Sequence, residues 1–296
     1  MRTKALIING DDFGRSPQVN AGILRAHCQG MLTSASLMVA EPSCSEAVAA
    51  ARDCPGLDVG LHLVACNGRS LLGLEGLVND SGQFPASDVW AGLRYALWPG
   101  LCSKVRDEFR AQIERHLELV GHLYHINAHH NLHLHPDLAD IVLELAAEYR
   151  IPWVRLVREP VLTTLSLAGN HWPRKLRDHY LFKCLSSRAS RKMCRLGIRG
   201  NELTFGFHQT GHLTESYVLG VLAKLPEESL TEFYFHPAVE QDSQPPLWPS
   251  QSVETEILIS AAVRAAILRH GIHLTTFREQ AAIPGVRFEG ATHVAR

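Results

Sequence analysis

Residues 5–20 read ALIINGDDFGRSPQVN. Ala5–Asn9 is a short, nearly continuous apolar run with β-branched Ile7 and Ile8, the pattern of a buried strand. It ends in Gly10-Asp11-Asp12. Ser16-Pro17 then offers an N-cap followed by proline at the first helical position, so a helix opens toward Gly30. Strand, polar turn and helix form one βα unit, and the same alternation continues along the chain. Thr33–Val39 and Leu57–Val64 (LDVGLHLV) read as strands around a helix running from Ser43 to near Cys54. Residues 67–100 are Gly-rich and loop-like, and Ser103–Val120 is a long amphipathic helix. Tyr124–Ala128 and Trp153–Val157 read as strands around a helix at Pro136–Tyr149. Thr231–Phe235 and His273–Phe277 are late strands around an apolar helix at 253–269.

Strands alternating with helices imply parallel βαβ units. Their count, in a chain near the usual size of about 250 residues, predicts an α/β distorted (β/α) TIM-like barrel, with the active site at the strand C-terminal face. A doubly wound open sheet is the rival. No GxGxxG or GxxxxGK[ST] follows the first strand, so nothing points to a dinucleotide or P-loop site.

The 296 residues, 46% hydrophobic and 20% charged with net charge −1, describe a globular chain. Disorder and general nucleic-acid binding are excluded. No apolar run approaches the roughly 18 residues of a membrane span, and the N-terminus turns acidic too early for a signal peptide. Seven cysteines without a CxxC read as reduced thiols of a cytoplasmic protein, not a disulfide frame or zinc knuckle.

One segment departs from this balance. Residues 169–200 hold nine Lys/Arg and one acid, Asp178, a local net of +8 that leaves −9 elsewhere. We expect a single domain over 1–296 carrying this basic helical insertion at about 165–205. Its interleaved aromatics give two readings: an insertion with an apolar underside, or a surface for anionic lipid reached through Arg191, Lys192 and Arg195. Asp88–Leu101, with Trp90, Leu93, Tyr95, Leu97 and Trp98, is a second candidate for membrane contact.

The polar groups of interest fall at predicted strand ends: Asp11-Asp12, His62, His129, His130, His133, Arg155, Arg158 and His236. In a parallel barrel these ends share one face. One carboxylate and two imidazoles can hold a cation with positions left for water and substrate, while a neighbouring acid takes a proton. The blander readings are a helix-capping acid at 11–12 and a satisfied core histidine at 62. Strand alternation along AHHNLHLHP sends His129, His133 and His135 to one side, and spacing does not choose among them.

NGDDFGRSPQVNAGI, LTSASLMVA, VGLHLV, NAHHNLHLHP and FYFHPA, in that order, resemble the motifs of the YdjC-like carbohydrate deacetylases over roughly residues 4–280. Asn127-Ala128 before the histidine cluster, with VRLVREP and FGFHQTGHLTE, looks most like the branch associated with hopanoid biosynthesis. The resemblance implies a divalent cation, Mg2+ or Zn2+, on Asp12, His62 and His129, with Asp11 as catalytic base and His236 as general acid. His133 is then the reserve ligand. His133, Arg155 and Arg158 are expected to bind substrate. Asn131 stands where many relatives have a third imidazole. The implied reaction removes the N-acetyl group of an acetamido sugar, carried on a hopanoid lipid such as an N-acetylglucosaminyl hopanoid. The implied location is cytoplasmic, with peripheral contact at the inner face of the membrane. The alternatives are deacetylation of soluble chitooligosaccharides, a non-haem Fe(II) oxygenase, whose 2-His-1-carboxylate site needs no separate base, and a metal-bearing binder without turnover.

Overall fold

The computed structural model describes residues 4–240 and 250–283. Its strands are β1 (Lys4–Phe13), β2 (Ser34–Leu37), β3 (Asp58–Leu63), β4 (His125–Ala128), β5 (Trp153–Val154), β6 (Leu203–Phe205), β7 (Leu230–Phe235) and β8 (Ile272–Leu274). Helices α1 (Pro17–Cys28) and α2 (Cys44–Arg52) follow β1 and β2. α3 (Asp88–Leu97) and α4 (Gly100–Val120) follow β3, and α5 (Pro136–Glu148) follows β4. α6 (Val161–Leu167) and α7 (Trp172–Leu196) join β5 to β6, and α8 (Glu215–Ala223) precedes β7. α9 (Ser250–Ile259) and α10 (Ala261–Arg269) precede β8, and α11 (Phe277–Ala281) follows it.

The strands pair in parallel in the order β5-β4-β3-β2-β1-β7-β6, with β8 against the start of β1. The two ends of this curled sheet meet where Val154 N–H donates to Arg199 O at 3.0 Å. The result is the distorted (β/α) barrel that the alternation predicts. β5 stops after two residues because the Asn201 amide replaces a neighbouring strand: it accepts from Leu156 N–H and donates to Leu156 O, both at 2.8 Å.

Several local expectations change. Residues 67–100 contain α3, whose start is capped by Ser87 Oγ accepting from Trp90 N–H. The three-residue β6 is too short to stand out in sequence. The apolar helix at 253–269 breaks at Ser260, whose Oγ caps α10. The last strand ends at Leu274, and Thr276 caps α11 with Glu279 in a capping box.

The interior divides by height. At the strand N-terminal end, Ile7, Trp153, Leu230 and Phe277 form a small apolar cluster, and Phe277 stacks on the buried His125 with ring centroids 4.0 Å apart. Above it the interior is polar. Asn9, Asp11, Ser36, His62, Asn127, Arg155 and Glu232 are all buried, where barrels usually carry branched apolar layers.

Candidate metal centre

β1 carries one extra residue against β2. Gly10 faces Ala35, but Leu37 faces Phe13, and Asp12 takes a left-handed backbone with φ 66°. On a regular strand Asp11 and Asp12 would point to opposite faces. The bulge re-aims them, so both carboxylates serve one site.

Asp12 Oδ1 lies 2.9 Å from His129 Nδ1 and 3.2 Å from His62 Nε2, and those nitrogens are 3.4 Å apart. Ligand atoms bonded at about 2.1 Å to one ion stand about 3.0 Å apart in octahedral and about 3.4 Å apart in tetrahedral coordination. All three residues are buried, and this is the only such group of His, Cys, Asp or Glu among the described residues. Asp12 is fully buried, and its Oδ1 faces only the two imidazole nitrogens. The groups facing this buried carboxylate are the two imidazoles and the Arg15 guanidinium, and the three residues Asp12, His62 and His129 could hold a metal ion.

The electrostatics suit ligation at Asp12 and His129. Burial works against a charge on Asp12, but His129 and His62 hold its pKa well below the usual carboxylate range. Burial pushes His129 down to about 4 against the pull of Asp12. An ionised carboxylate and a neutral imidazole are the ligating forms. For His62 burial is outweighed by Asp11 and Asp12, so its pKa rises. Arg15 covers the group: Nη1 lies 2.8 Å from His129 Nε2 and 3.6 Å from Asp12 Oδ2.

Asp11 stands beside this group with its own partners. Arg155 Nη1 donates to Oδ2 at 2.7 Å, Arg155 Nη2 to Oδ1 at 2.8 Å, and Asn9 Nδ2 to Oδ1 at 2.7 Å. Burial would raise the Asp11 pKa, but the Arg155 charge brings it down to about 2. Arg155 also donates through Nε and Nη2 to Glu232 Oε1 at 2.8 and 2.6 Å. Asn127 links this group to the trio. With its oxygen on Arg155 Nη2 at 2.7 Å, its NH2 faces His62 Nδ1 at 2.6 Å. His236 follows β7 with its N–H on Glu254 Oε2 at 2.6 Å. Burial lowers its ring pKa, and the charges of Asp12 and Asp11 oppose that.

One expectation, strand alternation through the histidine cluster, needs correction. The chain leaves β4 at Ala128 and enters a 3-10 turn, His129–Leu134, with His130 and Asn131 left-handed at φ 53° and 55°. Strand alternation therefore does not apply. His133 turns away from the trio, its Nε2 2.9 Å from Arg155 O, and His135 caps α5. Arg155, placed by sequence among substrate contacts, is buried and spends its donors on Asp11 and Glu232. His133 is buried as well, so of the three expected contacts only Arg158 is partly exposed. Ser186 Oγ donates to Val157 O and Arg199 N–H to Pro152 O, which ties α7 and the chain after it to β5; Arg191 and Arg195 are exposed. Lys192 is also paired with Asp140 and Glu144.

Asn9, Arg15 and Glu232 do not stand out in the sequence, and Asn127 stands out there only as part of the family resemblance. The available signal was a polar residue inside an apolar strand, as at Asn9 in ALIIN and Glu232 in TEFYF.

The YdjC-like protein family model matches residues 5–269. A carbohydrate deacetylase of Geobacillus stearothermophilus is 40% identical over 153 residues, 51% of this chain and 59% of that one. A carbohydrate deacetylase of Vibrio cholerae serotype O1 is 39% identical over 148 residues, 50% of this chain and 57% of that one. The chain thus spans less than three-fifths of the length of these relatives. A solved Enterococcus faecalis V583 protein, described as a candidate for cellobiose-phosphate cleavage, shares the fold with a TM-score of 0.70. That match has 24% identity and covers 94% of this chain and 99% of the other. With the family model extending from β1 through α10, the chain belongs to the YdjC-like family.

Proposed function

We propose that the protein is a metal-dependent carbohydrate N-deacetylase, a hydrolase of acetamido sugars. The observation that carries this reading is a buried Asp-His-His group of ligand spacing beside a second carboxylate held apart from it by arginine. The names of the two relatives support the substrate class. In this reading Asp12, His62 and His129 hold one divalent ion, Zn2+ or Mg2+. When bound, that ion supplies carbonyl polarisation and acidifies a water. Asp11 is the base: its Oδ1 is occupied by Asn9 and Arg155, while Oδ2 takes one donor and keeps a lone pair for a proton. His236 gives a proton to the departing nitrogen, and Arg158 contacts the sugar. An oxygenase has no use for the Asp11–Arg155 pair.

We infer further that the sugar is lipid-linked, as on a hopanoid, and is met at the cytoplasmic face of a membrane. α3 turns an apolar stripe outward: Val89 is 77% exposed, Leu97 58%, Trp98 51%, Trp90 49% and Leu93 46%. Its first residue, Asp88, lies 3.4 Å from His130, the neighbour of His129. The stripe therefore borders the proposed site, and Trp favours membrane interfaces. No described helix is long and apolar enough to cross a membrane. The test is acetate release from a lipid-linked N-acetylglucosamine and from a chitooligosaccharide, with and without chelator. Release from neither, in metal-replete protein, refutes the activity. Release from the soluble oligosaccharide alone refutes the lipid. Trp90→Ala with Trp98→Ala should raise KM for the lipid-linked sugar only.

A further inference from the structure

All seven cysteines are free, and two of them touch. Cys28 closes α1, Cys54 lies just past α2, and their Sγ atoms are 3.6 Å apart in a thiol–thiol contact. Cys28 is exposed and Cys54 half-buried, so a small oxidant can reach the pair. We propose that Cys28 and Cys54 form a reversible intramolecular disulfide, a modification site for low-molecular-weight disulfides of the oxidised-glutathione class.

The other five thiols do not compete for this bond. Cys44 and Cys66 are buried, which pushes their thiols up to about 11 and about 12. Cys102 is half-buried and donates toward Tyr95 O at 3.7 Å. Cys184 and Cys194 are exposed on α7 without a thiol partner. Bond formation brings the two sulfurs of the pair about 1.5 Å closer, to a disulfide length of about 2.05 Å. Both residues sit at helix ends, where the chain yields most readily.

The exchange balances. The exposed Cys28 thiolate attacks one sulfur of oxidised glutathione, that S–S bond breaks, and one glutathione leaves as thiolate and takes a proton. Burial and the Cys28 sulfur both raise the Cys54 pKa. Cys54 therefore acts second: it gives its proton to solvent, attacks Cys28 Sγ and expels the other glutathione. Two protein thiols are oxidised by two electrons, and one small disulfide is reduced to two thiols. The new bond closes a loop across 26 residues that contains β2 and α2. Constraining that loop in the unfolded chain should stabilise the fold.

The experiment uses the full chain with Cys184→Ser and Cys194→Ser, incubated with oxidised glutathione at pH 8. Expected are loss of two free thiols, loss of two hydrogens from the intact mass, and a non-reduced peptide joining Cys28 to Cys54. Tm should rise by roughly 5 °C and return on adding dithiothreitol. Adding Cys28→Ser should abolish all of these. Unchanged mass, or glutathione remaining attached to either cysteine, overturns the proposal.

Discussion

Arg155→Met should be among the most damaging single changes at the polar centre. The guanidinium is 2% exposed, makes four hydrogen bonds to two buried carboxylates and lies 4.4 Å from the Tyr234 ring centroid. Methionine fills much of the volume but leaves Asp11 and Glu232 facing each other uncompensated. Breaking a buried ion pair in this way costs about 3–5 kcal/mol. The structure gives a figure of the same order: lowering the Asp11 pKa from 3.8 to about 2 corresponds to about 2 kcal/mol. That stability is present above pH 4 and is lost as pH falls through 2, because the folded pKa is the depressed one. In the variant, burial acts on Asp11 unopposed, so its pKa should move above 3.8. Calorimetry at pH 7 should show a Tm drop of about 10 °C. The acid limb of acetate release should enter the range above pH 4. Glu232→Gln in the same background should recover part of the Tm by removing one orphaned charge. A Tm within about 2 °C of the parent together with an unmoved acid limb would refute the reasoning.

The alternation of strands and helices was legible because most strands carry apolar runs and some helices open with a recognisable cap, as at Ser16-Pro17 and His135-Pro136. The ends of the strands were less so. Asp11 and Asp12 are adjacent in sequence, and only the bulge explains how one meets two imidazoles while the other meets an arginine from β5's far end. Pairing register decides that bulge, and register is set by β2, not by local composition. The histidine cluster misled for a related reason: two left-handed residues, His130 and Asn131, turn an apparent alternation into a 3-10 turn. Neither is glycine, so the signal was weak, although His and Asn are the residue types that most often tolerate this backbone. Glu232 and Arg155 sit 77 positions apart and meet only because β7 and β5 face each other across the interior. Long-range ion pairs of that kind have no local signature.

Four further outcomes are expected. Asp12→Ala should abolish stoichiometric metal binding with the fold retained, read by titration calorimetry and circular dichroism. Full occupancy would remove Asp12 from the ligand set. Asp11→Asn should bind metal normally and lose about 10²–10⁴-fold in acetate release, and His236→Ala should lose less when the leaving group needs no proton. Unchanged rates in both would mean a different acid and base. Gly60→Ala should destabilise by about 1–3 kcal/mol and weaken metal binding, since a Cβ there overlaps the His125 ring two residues before His62. A Tm equal to the parent's would show that the ring can move aside. The last outcome concerns acid. His116 is fully buried, with Nε2 3.2 Å from His122 O, and burial holds its pKa at about 4. Burial likewise holds His133 at about 3 and His125 well below 6.5. These rings fold neutral, while the unfolded chain protonates them near 6.5. Their contribution is therefore complete above pH 6.5 and is lost as pH falls toward the folded values. At pH 5 His116 alone should cost about 2 kcal/mol relative to pH 7. In metal-free protein His62, whose folded pKa is raised, runs the other way and keeps its contribution as acid is added. The depressed rings outweigh the one raised ring, so Tm should fall by at least about 5 °C between pH 7 and pH 5. His116→Gln keeps a donor for His122 O and removes one titration, so it should flatten that slope. A variant with the parent's slope would show that His116 is not held neutral in the fold.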